Sequence, residues 1–262
     1  MRKFIAIISF LIWAVSNIAL AKERIRITTG EWAPYLSETM ERKGMIAQIA
    51  NEAFALKDVD VDIHFFPWAR ATELSKSGEW DGTLAFARLA EREPFYYFSS
   101  PIYVGRYVFF HLKKKPLSWE KLTDLKGYSM ASTRGFGGMG DEFIKAEREG
   151  LFKVLRLTSD EQSFNMLKAA RIDTVPSDLE VGYFLLNKLY GHESEIFTHS
   201  SRVLYESPYH LAISKKCKRG PKLLQDFNEG LKRLQDSGRY KEIIKAWHEK
   251  AVYRQAIPAQ FR

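Results

Sequence analysis

The segment from Arg88 to Arg92 (RLAER) places two guanidinium groups four residues apart. A guanidinium is a planar fork of N–H donors that matches a carboxylate, and in a desolvated cleft each such hydrogen bond contributes about 1.5–3 kcal/mol. Two arginines in one cleft would favour a dianionic or larger ligand. The alternative for Arg92 is a surface ion pair with Glu91 or Glu93. For Arg88 it is an ion pair with Glu91 or bracing of the turn.

A carboxylate and a glycine-rich turn are further candidates. Asp178 could receive an ammonium group, because a carboxylate accepts several N–H bonds at once. Its alternative is to cap a helix that begins near Leu179. Thr133 and Arg134 precede the glycines at 135–140, where backbone N–H groups at a helix start could bind a carboxylate oxygen. The alternative there is a loop without contacts, and Arg134 again suggests an anionic ligand.

Aromatic residues follow the first two predicted strands. Trp32 and Tyr35 lie in the segment EWAPY, directly after the first strand, and Trp68 follows Pro67 after the second. Open α/β sheets bind ligands at this carboxyl edge of their strands. The three rings could form a wall that stacks on a side chain or covers a cation. For Trp68, packing in the core beneath the Pro67 turn is the alternative.

Other chemistry has little support in the composition. Cys217 is the single cysteine, so no internal disulfide can form, and it has no plausible partner base. Of the six histidines only His192 and His199 have even a weak metal-ligand spacing. The formal charge of +8 is dispersed, which indicates a solvated surface and no nucleic-acid groove. We therefore expect no enzyme activity, no metal and no cofactor.

The N-terminus has the three parts of an export signal. Arg2 and Lys3 supply positive charge, an apolar run covers 4–15, and Ala19-Leu20-Ala21 is a small-x-small cleavage pattern. A permanent membrane anchor is the alternative, but it needs roughly 20 apolar residues. With Cys217 far from the signal, lipid attachment is excluded. We predict a signal peptide over 1–21 and a free periplasmic protein.

Strand and helix patterns alternate along the rest of the chain. Period-two alternation predicts strands, and apolar spacing of three and four predicts helices. Strands are expected at 24–29, 59–66, 83–87, 105–112, 154–157, 172–175 and 208–214, and helices at 44–56, 68–77, 141–149, 161–170, 179–189, 221–236 and 240–252. This order predicts an α/β fold with mostly parallel sheets flanked by helices.

Five motifs in order resemble the family 3 extracellular solute-binding proteins. They are GEWDG at 78–82, RLAER at 88–92, FSSP at 98–101, LTDLKG at 122–127 and AARID at 169–173. The resemblance covers roughly 25–250. It implies a two-lobed periplasmic-binding-protein clamshell of type II, joined by two crossing strands and closing around its ligand. The predicted lobes are 22–110 with 207–262, and 111–206.

The same resemblance implies roles for two residues. Arg92 corresponds to the arginine that binds the α-carboxylate of an amino acid, and Asp178 to the aspartate that binds its α-amino group. The implied function is capture of a small amino-acid-like or carboxylate-bearing solute by a monomer that serves the membrane subunits of an ABC importer. A sensing partner of a membrane receptor and a periplasmic dehydratase are the alternatives.

Overall fold

The computed structural model describes residues 22–134 and 139–250. The predicted signal peptide at 1–21 and residues 135–138 of the glycine-rich turn at 135–140 lie outside the described residues. Within the described ranges, no helix combines the length and apolar character that a membrane crossing needs.

Within these ranges the structure has ten strands and seven α-helices. The seven predicted strands and seven predicted helices are present with their ends shifted by a few residues, and three short strands were not predicted. The strands are β1 (Glu23–Thr29), β2 (Val59–Phe65), β3 (Gly82–Ala87), β4 (Tyr96–Phe98), β5 (Tyr103–Leu112), β6 (Ser129–Thr133), β7 (Lys153–Leu157), β8 (Val175–Asp178), β9 (Phe197–His199) and β10 (Tyr205–Ser214). The helices are α1 (Met45–Ala55), α2 (Trp68–Ser77), α3 (Asp141–Arg148), α4 (Asp160–Lys168), α5 (Leu179–Tyr190), α6 (Gly220–Asp236) and α7 (Arg239–Glu249).

Local chemistry explains where several elements begin and end. Helix α2 ends at Gly78, whose left-handed φ of 82° suits a residue without a Cβ. The strand predicted at 172–175 instead forms β8, three residues later. The reason is that the Asp173 carboxylate accepts the Ser129 backbone N–H at 2.8 Å and holds the chain in a turn before the strand.

The sheet combines parallel and antiparallel pairs. Eight strands form one sheet in the order β2-β1-β3-β10-β5-β8, with β4 on β10 and β9 on β5, and β6 and β7 form a separate pair. The β-α-β connections make β1 parallel to both β2 and β3, and β6 parallel to β7. Strands β5 and β10 run antiparallel to all their partners because they carry the chain out and back.

Two ten-residue strands connect the two ends of the molecule. The first half of β5, at 103–107, pairs with β10, and its second half, at 107–110, pairs with β8. Similarly, β10 pairs with β5 over 205–209 and with β3 and β4 beyond that point. The two-lobed α/β fold predicted from the sequence is confirmed. The lobe boundaries at 110/111 and 206/207 stay predictions.

Apolar side chains form two main clusters. The larger packs Ile25 and Ile27 of β1 against α1 and Phe227 of α6, and continues to Phe109 and Phe143 beyond the crossing. Helix α6 lies so close to α1 that a Cβ on Gly230 would overlap the backbone of Ala53. A second cluster joins β5 and β8 to α4 and α5. The lobes therefore share core across the crossing strands.

Candidate functional site

A cavity of about 440 Å³ opens where the two lobes meet. We call it the aromatic cavity; its described lining residues are Glu31, Trp32, Ala33, Glu38, Phe65, Phe66, Pro67, Trp68, Thr133, Thr158, Ser159, Asp160, Glu161, Val181, Phe184, Leu185 and Lys188. Most of them follow the carboxyl ends of β1, β2, β6 and β7. Sheet edges of this kind present loops and helix starts to a ligand.

Tryptophan rings form the wall of this cavity on the side of β1 and β2. Trp68 is the first residue of α2, and Pro67 before it directs the chain into the helix. The indole of Trp68 lies directly over Gly30, where a Cβ would overlap the ring. Trp32 meets Trp68 edge to face, with ring centroids 6.2 Å apart. Glycine at position 30 is thus what allows the second tryptophan to reach the cavity.

The described charged residues of the aromatic cavity are four carboxylates and one ammonium group. Asp160, at the start of α4, accepts the Thr133 hydroxyl at 2.5 Å, and burial raises the pKa of this carboxyl. The ammonium of Lys188 lies 3.7 Å from Glu161. Sequence reasoning missed Asp160; its place after a strand and a capping serine was the available signal. The cavity is therefore acidic, although the sequence suggested an anionic ligand.

Asp178 is not among the described residues that line this cavity, and it is buried in a hydrogen-bond network of its own. Its carboxylate accepts backbone N–H groups of Glu180 and Val181 at 3.0 and 3.2 Å, which caps α5. It also accepts the hydroxyls of Tyr35 at 3.0 Å and Tyr209 at 2.8 Å. Burial, followed by the nearby charge of Glu180, raises the pKa of Asp178 to about 7. Capping, the alternative role, is observed, and contact of Asp178 with a ligand stays a prediction.

Arg92 and Arg134 lie together at a second opening of about 560 Å³. We call it the arginine cleft; its described charged lining residues are Glu73, Lys76, Glu91, Arg92, Arg134 and Arg156. The Arg92 guanidinium donates to the Ala87 carbonyl at 3.1 Å and covers the Phe86 ring at 3.7 Å. Burial lowers the pKa of Arg92 to about 10, so it stays charged at neutral pH.

The two openings adjoin along the boundary between the lobes. Thr133 lines the aromatic cavity and Arg134, the next residue, lines the arginine cleft. On the facing helix α2, Trp68 lines the aromatic cavity and Thr72, one turn later, lines the arginine cleft. The Thr72 hydroxyl donates to the Trp68 carbonyl at 2.9 Å. An acidic, aromatic region thus borders a basic one.

The structure does not bring every predicted site residue to these openings. Arg88 donates to Glu93 at 2.7 Å, and both side chains are at least half exposed. Tyr35 is fully buried beside Asp178 and meets Trp32 edge to face, with ring centroids 5.2 Å apart. Cys217 is half-buried, and its thiol pKa is raised by burial. Among the residues that the structure describes, no group of three His, Cys, Asp or Glu side chains is placed to hold a metal.

Many solved structures share this fold, and three of them follow. A histidine kinase sensor domain similar to periplasmic binding proteins aligns with a TM-score of 0.75 and 19% identity, covering 87% of this chain and 97% of that one. A mutant ArgBP from T. maritima aligns with a TM-score of 0.72 and 21% identity over 90% and 100% of the two chains. AbpA, an amino acid ABC transporter substrate-binding protein from Streptococcus pneumoniae bound to L-arginine, aligns with a TM-score of 0.71 and 14% identity. The alignment covers 91% of this chain and 98% of AbpA. A comparison with curated sequences finds no match.

These alignments, with the cavity between two lobes, define the class as a periplasmic-binding-protein fold. The model of the bacterial extracellular solute-binding proteins, family 3, matches residues 25–250. The chain belongs to this family. Its members are in general ligand binders without enzyme activity, and the family description indicates a location outside the cytoplasm.

Proposed function

We propose that this protein captures a small amino-acid-like solute in the periplasm and delivers it to the membrane subunits of an ABC importer. The single observation that carries the proposal is the cavity of about 440 Å³ between the lobes, lined from both sides. A solute held there contacts both lobes, so its binding energy favours their closure. Family membership and the role of the structural neighbour AbpA as an ABC transporter substrate-binding protein support the same function.

The two adjoining openings suit a solute that carries both signs of charge. In this proposal Arg92 and Arg134 bind a carboxylate at the arginine cleft, while Trp32, Trp68 and Thr133 contact the rest of the solute. Guanidinium groups serve the carboxylate because of their forked geometry. Arg88, held by Glu93, is left out of the proposed contacts.

A ligand screen tests this function and the absence of catalysis together. Thermal unfolding is measured with each of the twenty common L-amino acids, simple amines and carboxylic acids. A ligand that binds only the native state adds RT ln(1 + [L]/Kd) to its stability, so at least one compound raises Tm. If none does, the proposed function is wrong. A stabilising compound is then incubated with the protein, and we expect it to be recovered unchanged by mass spectrometry.

Sensing is a second candidate, favoured by the likeness to a histidine kinase sensor domain. In that role the closed, liganded form would contact a membrane receptor. Deleting the gene separates the two: loss of uptake of the radiolabelled ligand supports transport. Normal uptake with loss of a ligand-dependent transcriptional response supports sensing.

A further inference from the structure

We propose that the aromatic cavity selects a cationic group on an apolar stem, an alkyl ammonium or a guanidinium. This inference rests on the proposed function and deepens it, because it names the chemical class of solute. It also reverses the anionic preference that Arg88 and Arg134 suggested, since neither residue is among the described residues that line this cavity.

The distribution of charge is the first argument. Glu31, Glu38, Asp160 and Glu161 all line the cavity, against one ammonium. That ammonium, on Lys188, lies 3.7 Å from Glu161 and so offsets one of the four carboxylates. The remaining carboxylates give the cavity a negative potential that attracts a cation and repels an anion.

The walls of the cavity are aromatic, so they can contact both the apolar stem and the charged group of such a solute. Five aromatic rings line the cavity: Trp32, Phe65, Phe66, Trp68 and Phe184. Aromatic faces attract ammonium and guanidinium groups, with tryptophan the most effective, and they also bury the methylene groups of a stem. A carboxylate placed against the same rings would gain no such attraction.

Asp160 is the group in the best position to bind the cation. Asp160 is partly buried whereas the other three carboxylates are exposed, and its Thr133 hydrogen bond orients it at the start of α4. A partly buried carboxylate interacts with a cation more strongly than one in open water, because the local dielectric is lower. Glu31, Glu38 and Glu161 lie nearer the solvent.

The test compares probes that differ mainly in charge. Binding is measured by calorimetry for the cationic probes L-arginine, L-lysine, L-ornithine, agmatine and putrescine, and for L-citrulline, L-norleucine and L-glutamate. L-citrulline matters most, because its neutral ureido group has nearly the shape of the guanidinium. We expect at least one cationic probe to bind about tenfold or more tightly than every neutral or anionic probe.

Two variants connect the preference to the cavity. Asp160→Asn keeps an acceptor for the Thr133 hydroxyl and removes the charge, so we expect it to fold and to bind the cationic probe at least about tenfold more weakly. Asp62→Asn makes the same change on β2, where Asp62 contacts His64 outside the cavity, and should leave affinity unchanged.

The possible outcomes separate this inference from the proposed function. If a neutral or anionic amino acid binds as tightly as every cationic probe, or if Asp160→Asn leaves the cation affinity unchanged, the inference is overturned and solute capture stands. If no probe and no other amino acid binds, both are overturned. Circular dichroism of each variant at the assay temperature shows whether the native fold is present.

Discussion

The Tyr35 hydroxyl donates a 3.0 Å hydrogen bond to the Asp178 carboxylate and joins the loop after β1 to the start of α5. The two residues lie 143 positions apart, on opposite sides of the predicted lobe boundary. Tyr209, on the crossing strand β10, donates to the other carboxylate oxygen. One buried carboxylate thus connects the loop after β1, the start of α5 and a crossing strand.

The buried Asp178 should make stability depend on pH. Its pKa is raised to about 7 in the folded state, against about 3.9 in an unfolded chain. The folded state therefore holds the extra proton between these values, and its stabilisation is lost as pH rises through about 7. The steepest slope is about 1.4 kcal/mol per pH unit.

In Asp178→Asn this contribution disappears. We expect the unfolding free energy from urea titrations to fall less steeply between about pH 4.5 and 6.5 than in the parent protein. Asp160→Asn should change the slope in the same direction, since burial also raises the pKa of Asp160. An unchanged slope in Asp178→Asn would show that this carboxyl does not titrate in that range.

Removing the Tyr35 hydroxyl should weaken the connection between the lobes. Tyr35→Phe leaves the ring in place but deletes one of the donors to Asp178, at a cost of about 1–3 kcal/mol in unfolding free energy. The cost should shrink when the substitution is made in Asp178→Ala, which has no acceptor for the Tyr35 hydroxyl, because both changes remove the same hydrogen bond. If the two losses of unfolding free energy simply add in the double variant, the Tyr35 hydroxyl does not stabilise the protein through Asp178.

Arg92 and Arg88 should differ sharply as alanine variants. Arg92→Ala should weaken solute binding by more than about tenfold, or 1.4 kcal/mol, if Arg92 binds the carboxylate. It should also cost about 1–2 kcal/mol of stability, because Arg92 covers Phe86 and bonds to Ala87.

Arg88→Ala is the control for this pair. Its ion pair with Glu93 is solvent-exposed, so both affinity and melting temperature should stay close to those of the parent. Calorimetric titration with the strongest ligand of the screen measures both variants. Equal affinities for the two would remove Arg92 from the proposed contacts.

Gly30 offers a test of the aromatic wall without touching a cavity residue. In Gly30→Ala the new methyl group would overlap the Trp68 indole and displace it, so we expect solute affinity to fall about as much as in Trp68→Ala. The double variant should bind no worse than Trp68→Ala alone. A further loss in the double variant would mean that Gly30 acts by another route.

The sequence predicted the elements better than the side-chain partners. Alternation in β1 and the Gly78 stop of α2 are local signals, and the structure follows both. The three-residue strands β4 and β9 carry too few residues for a pattern, and they form because β10 and β5 offer free edges to them.

The charge of the cavity could not be read from one segment. Asp160 and Thr133 are 27 positions apart and meet only because β6 and β7 pair in parallel, which brings their carboxyl ends together. Likewise, Arg88 pairs with Glu93 and not with Glu91, because the conformation of the turn between them sets which carboxylate comes within reach. Ligand preference depends on such contacts between distant segments. The arginines in the sequence suggested an anionic ligand, whereas the assembled cavity supports the proposed cationic one.

The pairing of β5 with β10 has a mechanical consequence. Because the two connections are hydrogen-bonded side by side over five residue pairs, they form a narrow ribbon instead of two independent tethers. A ribbon bends readily across its face and resists sliding within its plane. In the proposed function, opening and closing of the lobes would then be limited to one hinge motion, and different bound solutes would leave the closed protein with the same outer shape.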